Sequence, residues 1–142
     1  MQSLERFAYR IFWVLHRWIY KLSRGRIGSL IQGLNVLLLY STGRKSGLPR
    51  ENMLTYLPHG KAYLIAASNA GAPRPSGWYF NLKAHPETEI LVKGRRIRVR
   101  AREAEDTERE ELWHRFLSSG AGYERYENLT DRVIPVMVLE PK

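Results

Sequence analysis

The clearest indication of the fold is the stretch TEILVKGRRIRVRAR, residues 88–102. Its two halves meet at Lys93-Gly94, a dipeptide suited to the two-residue turn of a β-hairpin. In the second half, apolar residues alternate with arginines, which gives one buried and one basic face. The stretch therefore predicts two strands, over residues 88–92 and 95–102, that pair in a hairpin.

Short strand patterns continue outward from this hairpin. Apolar or alternating runs predict strands over residues 35–41, 52–57, 61–68 and 133–139. The tripeptide at positions 58–60 predicts a hairpin turn between the second and third of these, and residues 42–51 and 69–77 are loops by composition. Helices are predicted over residues 78–85, from a cap at Asp106 or Thr107 to about 118, and, as a short aromatic turn or helix, over 123–128. The fold class is therefore α+β, mainly β, with a small antiparallel barrel and peripheral helices.

The N-terminal part differs from the rest of the chain. Residues 4–24 follow an amphipathic helical spacing with aromatic and aliphatic residues on one face and arginines and lysines away from it. Such a helix could lie on an anionic membrane surface or dock on the barrel, and the pattern leaves both open. We predict one domain, with this helix in residues 1–26 and the barrel in residues 27–142.

Bulk composition restricts the function classes. A chain of 142 residues with 44% hydrophobic residues fits one packed domain. The chain has no cysteine, and its four histidines lack metal-ligand spacing, so we expect no metal site. A net charge of +9 favours anionic partners. No signal peptide or membrane-spanning run is evident, so the expected location is cytoplasmic, with at most a peripheral membrane contact.

A basic, glycine-flanked turn at residues 43–47 is the first candidate site. The glycines allow the backbone N–H groups to approach a ligand, and Arg44, Lys45, Ser46 and Arg50 supply charge and a hydroxyl. These are the groups that hold a phosphate. The alternative is an ordinary solvated hairpin loop.

Two further motifs contain candidate ligand contacts. Ala66, Ala67 and Ser68 leave room for a flat ring that Trp78 and Asn81 could wall, or the aromatics could be core packing. Tyr123 and Tyr126 lie on one side of a helical turn and could form a substrate wall or a packed aromatic corner, with Asp131 and Arg132 as an ion pair. The arginines of residues 95–102 lack a nucleic-acid signature, so no nucleic acid is expected.

Four motifs in this order resemble one family, the deazaflavin-dependent nitroreductases that use coenzyme F420. The resemblance spans about residues 38–141. The matching segments are TGRKSGLPR at 42–50, AAS at 66–68, WYFNLKAHP at 78–86 and TDRVIPV at 130–136.

The resemblance implies a split β-barrel related to flavin mononucleotide (FMN)-binding reductases, and a role for each matched residue. Arg44, Lys45, Ser46 and Arg50 would hold the phosphate and acidic tail of F420. The deazaflavin ring would lie against Asn52, Ala66, Ala67, Ser68, Trp78 and Asn81. Tyr123, Tyr126 and Ser68 would lie at the substrate.

Three positions depart from residues that are common in this family. Asn69 stands where a lysine is common, and Arg74 could take the place of that lysine at the acidic tail. Gly120 and Leu129 stand where some members have a tyrosine and a tryptophan, which implies a more open substrate pocket.

The implied activity is hydride transfer from reduced F420 to an electron-poor small molecule such as a quinone or a nitro compound. The alternatives are an FMN- or haem-binding protein with the same barrel, or a non-enzymatic binder of lipid or nucleic acid. The sequence leaves open whether the protein is a monomer or a homodimer.

Overall fold

The structure, a computed structural model, describes Leu15, residues 35–120 and residues 122–142. The predicted amphipathic helix therefore lies outside the described residues except for Leu15, which is helical and 59% exposed. Within the described ranges, no helix is long and apolar enough to cross a membrane.

A seven-stranded antiparallel sheet forms the body of the protein. In sheet order the strands are β2, β1, β5, β6, β7, β4 and β3. Their bounds are β1 Val36–Thr42, β2 Pro49–Thr55, β3 Leu57–His59, β4 Ala62–Ala66, β5 Glu87–Val92, β6 Arg95–Glu103 and β7 Val136–Pro141. The hairpin predicted from residues 88–102 is confirmed as β5 and β6, with Val92 opposite Arg95 and the turn at Lys93-Gly94.

The sheet curls because its two edge strands are consecutive in the chain. Only Tyr56 separates β2 from β3, and its N–H donates to the carbonyl of Asn35 at 3.0 Å. The edges are thus two parts of one bent strand, which gives the predicted split β-barrel.

Three α-helices and one 3₁₀ turn lie outside the sheet. They are α1 Gly77–Ala84, α2 Asp106–Ser118, α3 Tyr123–Asn128 and the 3₁₀ turn Asn69–Gly71. The residue that precedes α2 as its N-cap is Glu105, without a side-chain capping bond, so the predicted cap at Asp106 or Thr107 is wrong.

Other boundary predictions need correction. Pro58 and His59 belong to the edge strand β3, where a missing N–H is tolerated, so the hairpin turn lies at Gly60-Lys61 rather than at positions 58–60. The last strand begins at Val136 rather than at position 133. Pro135 lies just before it and cannot donate to a sheet ladder.

Two apolar cores result from this arrangement. The barrel interior contains Trp78 and Leu82 of α1 together with inward-facing strand residues. A second core between the sheet and the helices α2 and α3 contains Trp113, Phe116 and Tyr123. The first core positions α1 and the second positions α3, and both helices carry candidate site residues.

Candidate active site

The turn at residues 43–47 has a fixed geometry. The N–H of Gly43 donates to Leu48 O and that of Gly47 to Gly43 O, each at 2.8 Å. Gly47 has φ +69°, and a Cβ added to Gly43 would lie 2.5 Å from Ser46 Oγ. The backbone angle therefore favours glycine at position 47, and a side chain at position 43 would require the Ser46 hydroxyl to move.

Asn81 anchors this turn to α1. Its Oδ1 accepts the backbone N–H of Arg44 at 3.0 Å, and its Nδ2 donates to Ser41 Oγ at 3.4 Å. The Asn81 residue is only 8% exposed. Its amide thus holds the turn, a use that the sequence did not indicate.

Two arginines from different loops meet at Phe80. The guanidinium carbon of Arg44 lies 4.5 Å from the ring centroid of Phe80, and that of Arg74 lies 5.9 Å from it. The arginine proposed from the sequence to stand in for a lysine at position 69 therefore lies near the basic turn. Phe80 is a contact that sequence reasoning missed.

The cations of this region have no carboxylate partner among the described residues. The salt bridges among the described residues are formed by other basic residues. None of them includes Arg44, Lys45, Arg50 or Arg74. Guanidinium and ammonium groups without a carboxylate partner within residues 35–120 and 122–142, beside a turn with two glycines, are the donors that a phosphate or carboxylate group takes. The residues present therefore fit an anionic, phosphorylated ligand.

Arg50 lies on β2, the strand that follows the turn, opposite Ser41. Its Nε is 3.6 Å from the position that a Cβ on Gly43 would occupy. It also lines a groove of about 460 Å³ that contains further basic residues and three carboxylates, those of Glu51, Glu87 and Glu89. Arg96 pairs with Glu89 and Lys142 with Glu87, so Arg50 and Arg98 are the candidates in this groove for a ligand contact.

The small residues predicted at a ring lie at the end of β4. Ala66 is half-buried and opposite Val136, whereas Ala67 and Ser68 are buried. The N–H of Ala67 donates to Pro135 O at 2.9 Å. This hydrogen bond holds the end of β4 against the segment that precedes β7.

The other two residues predicted at the ring have different environments. Trp78 is 3% exposed and packs in the barrel core, which is the core-packing alternative that the sequence left open. Asn52 is half-buried on β2 opposite Leu39.

Tyr123 and Tyr126 are together on α3, as predicted, with ring centroids 5.8 Å apart. Tyr123 is buried, its hydroxyl lies 2.6 Å from Thr55 Oγ1, and its ring meets Phe116 at 5.0 Å. Burial raises the pKa of Tyr123, so it remains a neutral phenol at neutral pH. Tyr126 is half-buried and is the more accessible of the two.

Arg132 bonds to backbone carbonyls rather than to Asp131. It donates to Ala72 O through Nε at 2.9 Å and to Ser68 O through Nη2 at 2.9 Å. The predicted ion pair is therefore replaced by bonds across more than sixty residues of sequence, a partner set that local spacing cannot show.

The site is thus a basic turn that is anchored on a helix of a split barrel. The chain matches, over residues 13–141, the family model described as F420H(2)-dependent quinone reductase, and it belongs to that family. This confirms the predicted resemblance to F420-dependent oxidoreductases, the enzyme class and the coenzyme F420. The family found is that of the quinone reductases.

Individual proteins agree with the family match. The F420H(2)-dependent quinone reductase Rv1261c of Mycobacterium tuberculosis (strain ATCC 25618 / H37Rv) is 45% identical over 129 residues, which cover 88% of this chain and 87% of that protein. A solved F420-H2 dependent reductase, FDR-A, has a TM-score of 0.68 and 34% identity over 75% of this chain and 94% of its own. A structure described as a domain-swapped dimer has a TM-score of 0.70 and 32% identity, covering 92% and 99%.

Proposed function

We propose that this protein reduces a quinone with reduced F420, and that the turn at residues 43–47 holds the coenzyme by its acidic end. The observation that carries the proposal is the convergence of Arg44 and Arg74 on Phe80, beside a turn anchored by Asn81. The Mycobacterium tuberculosis relative at 45% identity is named a quinone reductase, which favours a quinone as the acceptor.

The turn supplies the binding energy for the coenzyme. Arg44, Lys45 and Arg50 attract its phosphate and carboxylate groups, and the Ser46 hydroxyl, which accepts the N–H of Leu48 at 3.2 Å, still has its own proton to donate. Asn81 fixes the backbone of Arg44 by accepting its N–H. Arg74 adds a second guanidinium from the neighbouring loop.

The ring of the coenzyme would lie at the end of β4. Ala66, Ala67 and Ser68 have short side chains, so a planar ring can approach the backbone there. Asn52 would complete this surface, and Trp78 would support it from the core. When bound, the reduced deazaflavin supplies a hydride.

The acceptor needs one proton for each hydride that it takes up. Tyr126 is the accessible phenol near the proposed pocket, and Tyr123 holds it through ring contact and keeps its own proton. Ser68 would orient the acceptor. Gly120 and Leu129, which is exposed, leave room for a substrate as broad as a quinone.

The acceptor is tested by following oxidation of reduced F420 without oxygen against a panel of quinones and nitroaromatics. We expect quinones to be reduced with the higher kcat/KM. A preference for nitroaromatics would contradict the quinone assignment and leave the coenzyme assignment standing.

Quinones with long apolar tails reside in membranes, so we also propose that residues 4–24 bring the enzyme to an anionic membrane surface on the cytoplasmic side. Leu15, on the apolar face of this segment, is exposed. Flotation with anionic liposomes of protein with and without residues 1–26 tests this. Equal flotation of the two proteins would contradict it.

We further propose a homodimer, because the structure that aligns over 92% of this chain is described as a domain-swapped dimer. Light scattering of the full chain tests this proposal. A monomer mass across the accessible concentration range would contradict it.

A further inference from the structure

Arg132 makes several hydrogen bonds to the backbone but has no role in the function proposed above. It lies between α3 and β7, half-buried, and its own N–H donates to Thr130 Oγ1 at 3.3 Å. Its guanidinium reaches four carbonyl oxygens. They belong to Ala67 (3.2 Å), Ser68 (2.9 Å), Ala72 (2.9 Å) and Arg74 (3.4 Å).

These carbonyls come from two stretches on either side of a tight turn. Residues 67–68 follow β4, and residues 72–74 lead to α1. Between them Asn69, Ala70 and Gly71 have φ of +46°, +54° and +79°. Left-handed backbone is unfavourable for residues with a Cβ, so two of the three positions need support from outside the turn.

Arg132 gives that support from one side and α3 gives it from the other. A Cβ on Gly71 would lie 2.8 Å from Leu129 Cβ and 3.2 Å from Tyr126 O. The turn is therefore enclosed between the guanidinium and the end of α3. Residues 126–132 therefore contact the turn twice, through the end of α3 at Gly71 and through Arg132 at the carbonyls on either side.

We propose that Arg132 is a positioning residue for the coenzyme site. It fixes Ser68 and Arg74 relative to each other by clamping both ends of the turn between them. This rests on the proposed function, because Ser68 is assigned to the ring and Arg74 to the acidic end of F420. Arg132 acts through these residues and has no contact with substrate assigned to it.

The chemistry of the side chain suits this role. A guanidinium is a planar fork with five N–H donors, so it can bond to several carbonyls in different directions. A lysine has a single nitrogen, so it can take the place of Nη2 at Ser68 O and Arg74 O but cannot also take the place of Nε at Ala72 O. Among the described residues Arg132 Nη1 has no partner, which agrees with a side chain oriented by its Nε and Nη2 contacts.

Arg109 offers a matched control. It also donates to a backbone carbonyl, that of Ile134, through Nε at 3.2 Å and Nη2 at 2.7 Å. Arg109 thus supports the same part of the chain as Arg132, but its bonds do not extend to residues 67–74. Removing either arginine removes bonds to carbonyls, and only removal of Arg132 releases the turn.

The test compares Arg132→Gln, Arg132→Lys and Arg109→Gln in the full chain. Amide hydrogen exchange without coenzyme is measured over residues 67–76, with residues 95–103 as an internal reference. The affinity for oxidised F420 is then measured by fluorescence titration. Thermal unfolding of each variant separates positioning from loss of stability.

We expect Arg132→Gln to speed exchange at residues 67–76 while the reference is unchanged, and to weaken F420 binding about tenfold. Arg132→Lys should restore neither property in full, because the bond to Ala72 O stays lost. Arg109→Gln should lower the unfolding temperature and leave F420 affinity within about twofold.

Two results would overturn the inference: F420 affinity in Arg132→Gln equal to that in Arg109→Gln, or full restoration of affinity and protection by lysine. If Arg132→Gln does not fold, the milder Arg132→Lys decides by the same two readouts. Failure of the wild-type chain to bind F420 would instead contradict the proposed coenzyme site, and with it a positioning role for Arg132 there.

Discussion

The basic turn at residues 43–47 and the aromatic corner formed by Tyr123 and Tyr126 differ in whether their polar side-chain groups already have partners within the described part of the protein. The turn bonds within its backbone and to Asn81, and its cations have no acidic partner among the described residues. In the corner, the Tyr123 hydroxyl bonds to Thr55 and its ring is packed on Phe116.

This difference indicates two kinds of site. The backbone of the turn is already fixed by its own hydrogen bonds and by Asn81, so binding an anion has to order only the side chains of the cations. A tyrosine that is buried and bonded contributes shape and support rather than a free functional group. Substitutions in the turn should therefore alter ligand affinity, and substitutions at Tyr123 should alter stability.

The largest expected effect follows from removing two cations of the turn. Lys45→Ala together with Arg50→Ala should weaken F420 binding roughly 100-fold, because two charge-assisted hydrogen bonds to the ligand are removed. The measurement is fluorescence titration of oxidised F420. The matched control is Lys61→Ala with Lys93→Ala, which removes two exposed cations from hairpin turns outside the site. Equal weakening in the two double variants would show only a general charge effect.

A smaller effect on affinity is expected at the anchor of the turn. Asn81→Ala leaves the N–H of Arg44 without its acceptor, so F420 binding should weaken about tenfold and stability should fall by about 1–3 kcal/mol. Titration and denaturant unfolding measure the two effects. Asn128→Ala, at an exposed asparagine at the end of α3, is the control and should change neither. If F420 affinity is unchanged in Asn81→Ala, the anchoring role of Asn81 in F420 binding is contradicted.

Within the corner, Tyr123 should respond in stability alone. Tyr123→Phe removes the hydroxyl bonded to Thr55 and should cost about 1 kcal/mol of unfolding free energy, with F420 affinity unchanged. A double-mutant cycle with Thr55→Val isolates the contribution of this hydrogen bond. A fall in F420 affinity comparable with that of Asn81→Ala would erase the contrast between the two regions.

The smallest effect is a fall in stability at high pH. Burial, with a hydrogen bond to Glu103, raises the pKa of Tyr79 to about 12. Because the folded-state pKa is above the unfolded one of 10.0, the contribution of Tyr79 is complete below pH 10 and is lost as pH rises toward 12. Tyr79→Phe should therefore flatten the alkaline fall in unfolding temperature. Superimposable pH curves for the two proteins would contradict this.

The sequence predicted those features that depend on neighbours along the chain. The β5–β6 hairpin followed from alternation and a Lys-Gly turn, and the glycines at 43 and 47 correctly marked a turn. Strand limits failed near Pro58 and Pro135, where edge position and a missing N–H decide the outcome.

Contacts between distant parts of the chain could not be predicted. Asn81 meets Arg44 across 37 positions, and Arg132 meets Ser68 across 64. Local spacing suggested an acidic neighbour for Arg132 and missed its carbonyl partners. The burial of Tyr123 likewise depends on how α2 packs on the sheet.

The most direct test of the coenzyme site is titration of the purified full chain with F420, FMN and haem in parallel, at low and high salt. Binding at the turn predicts saturable F420 binding that weakens as salt rises and is roughly 100-fold weaker in the Lys45→Ala, Arg50→Ala double variant. Tight FMN or haem binding without F420 binding, or F420 binding indifferent to that double variant, would contradict it.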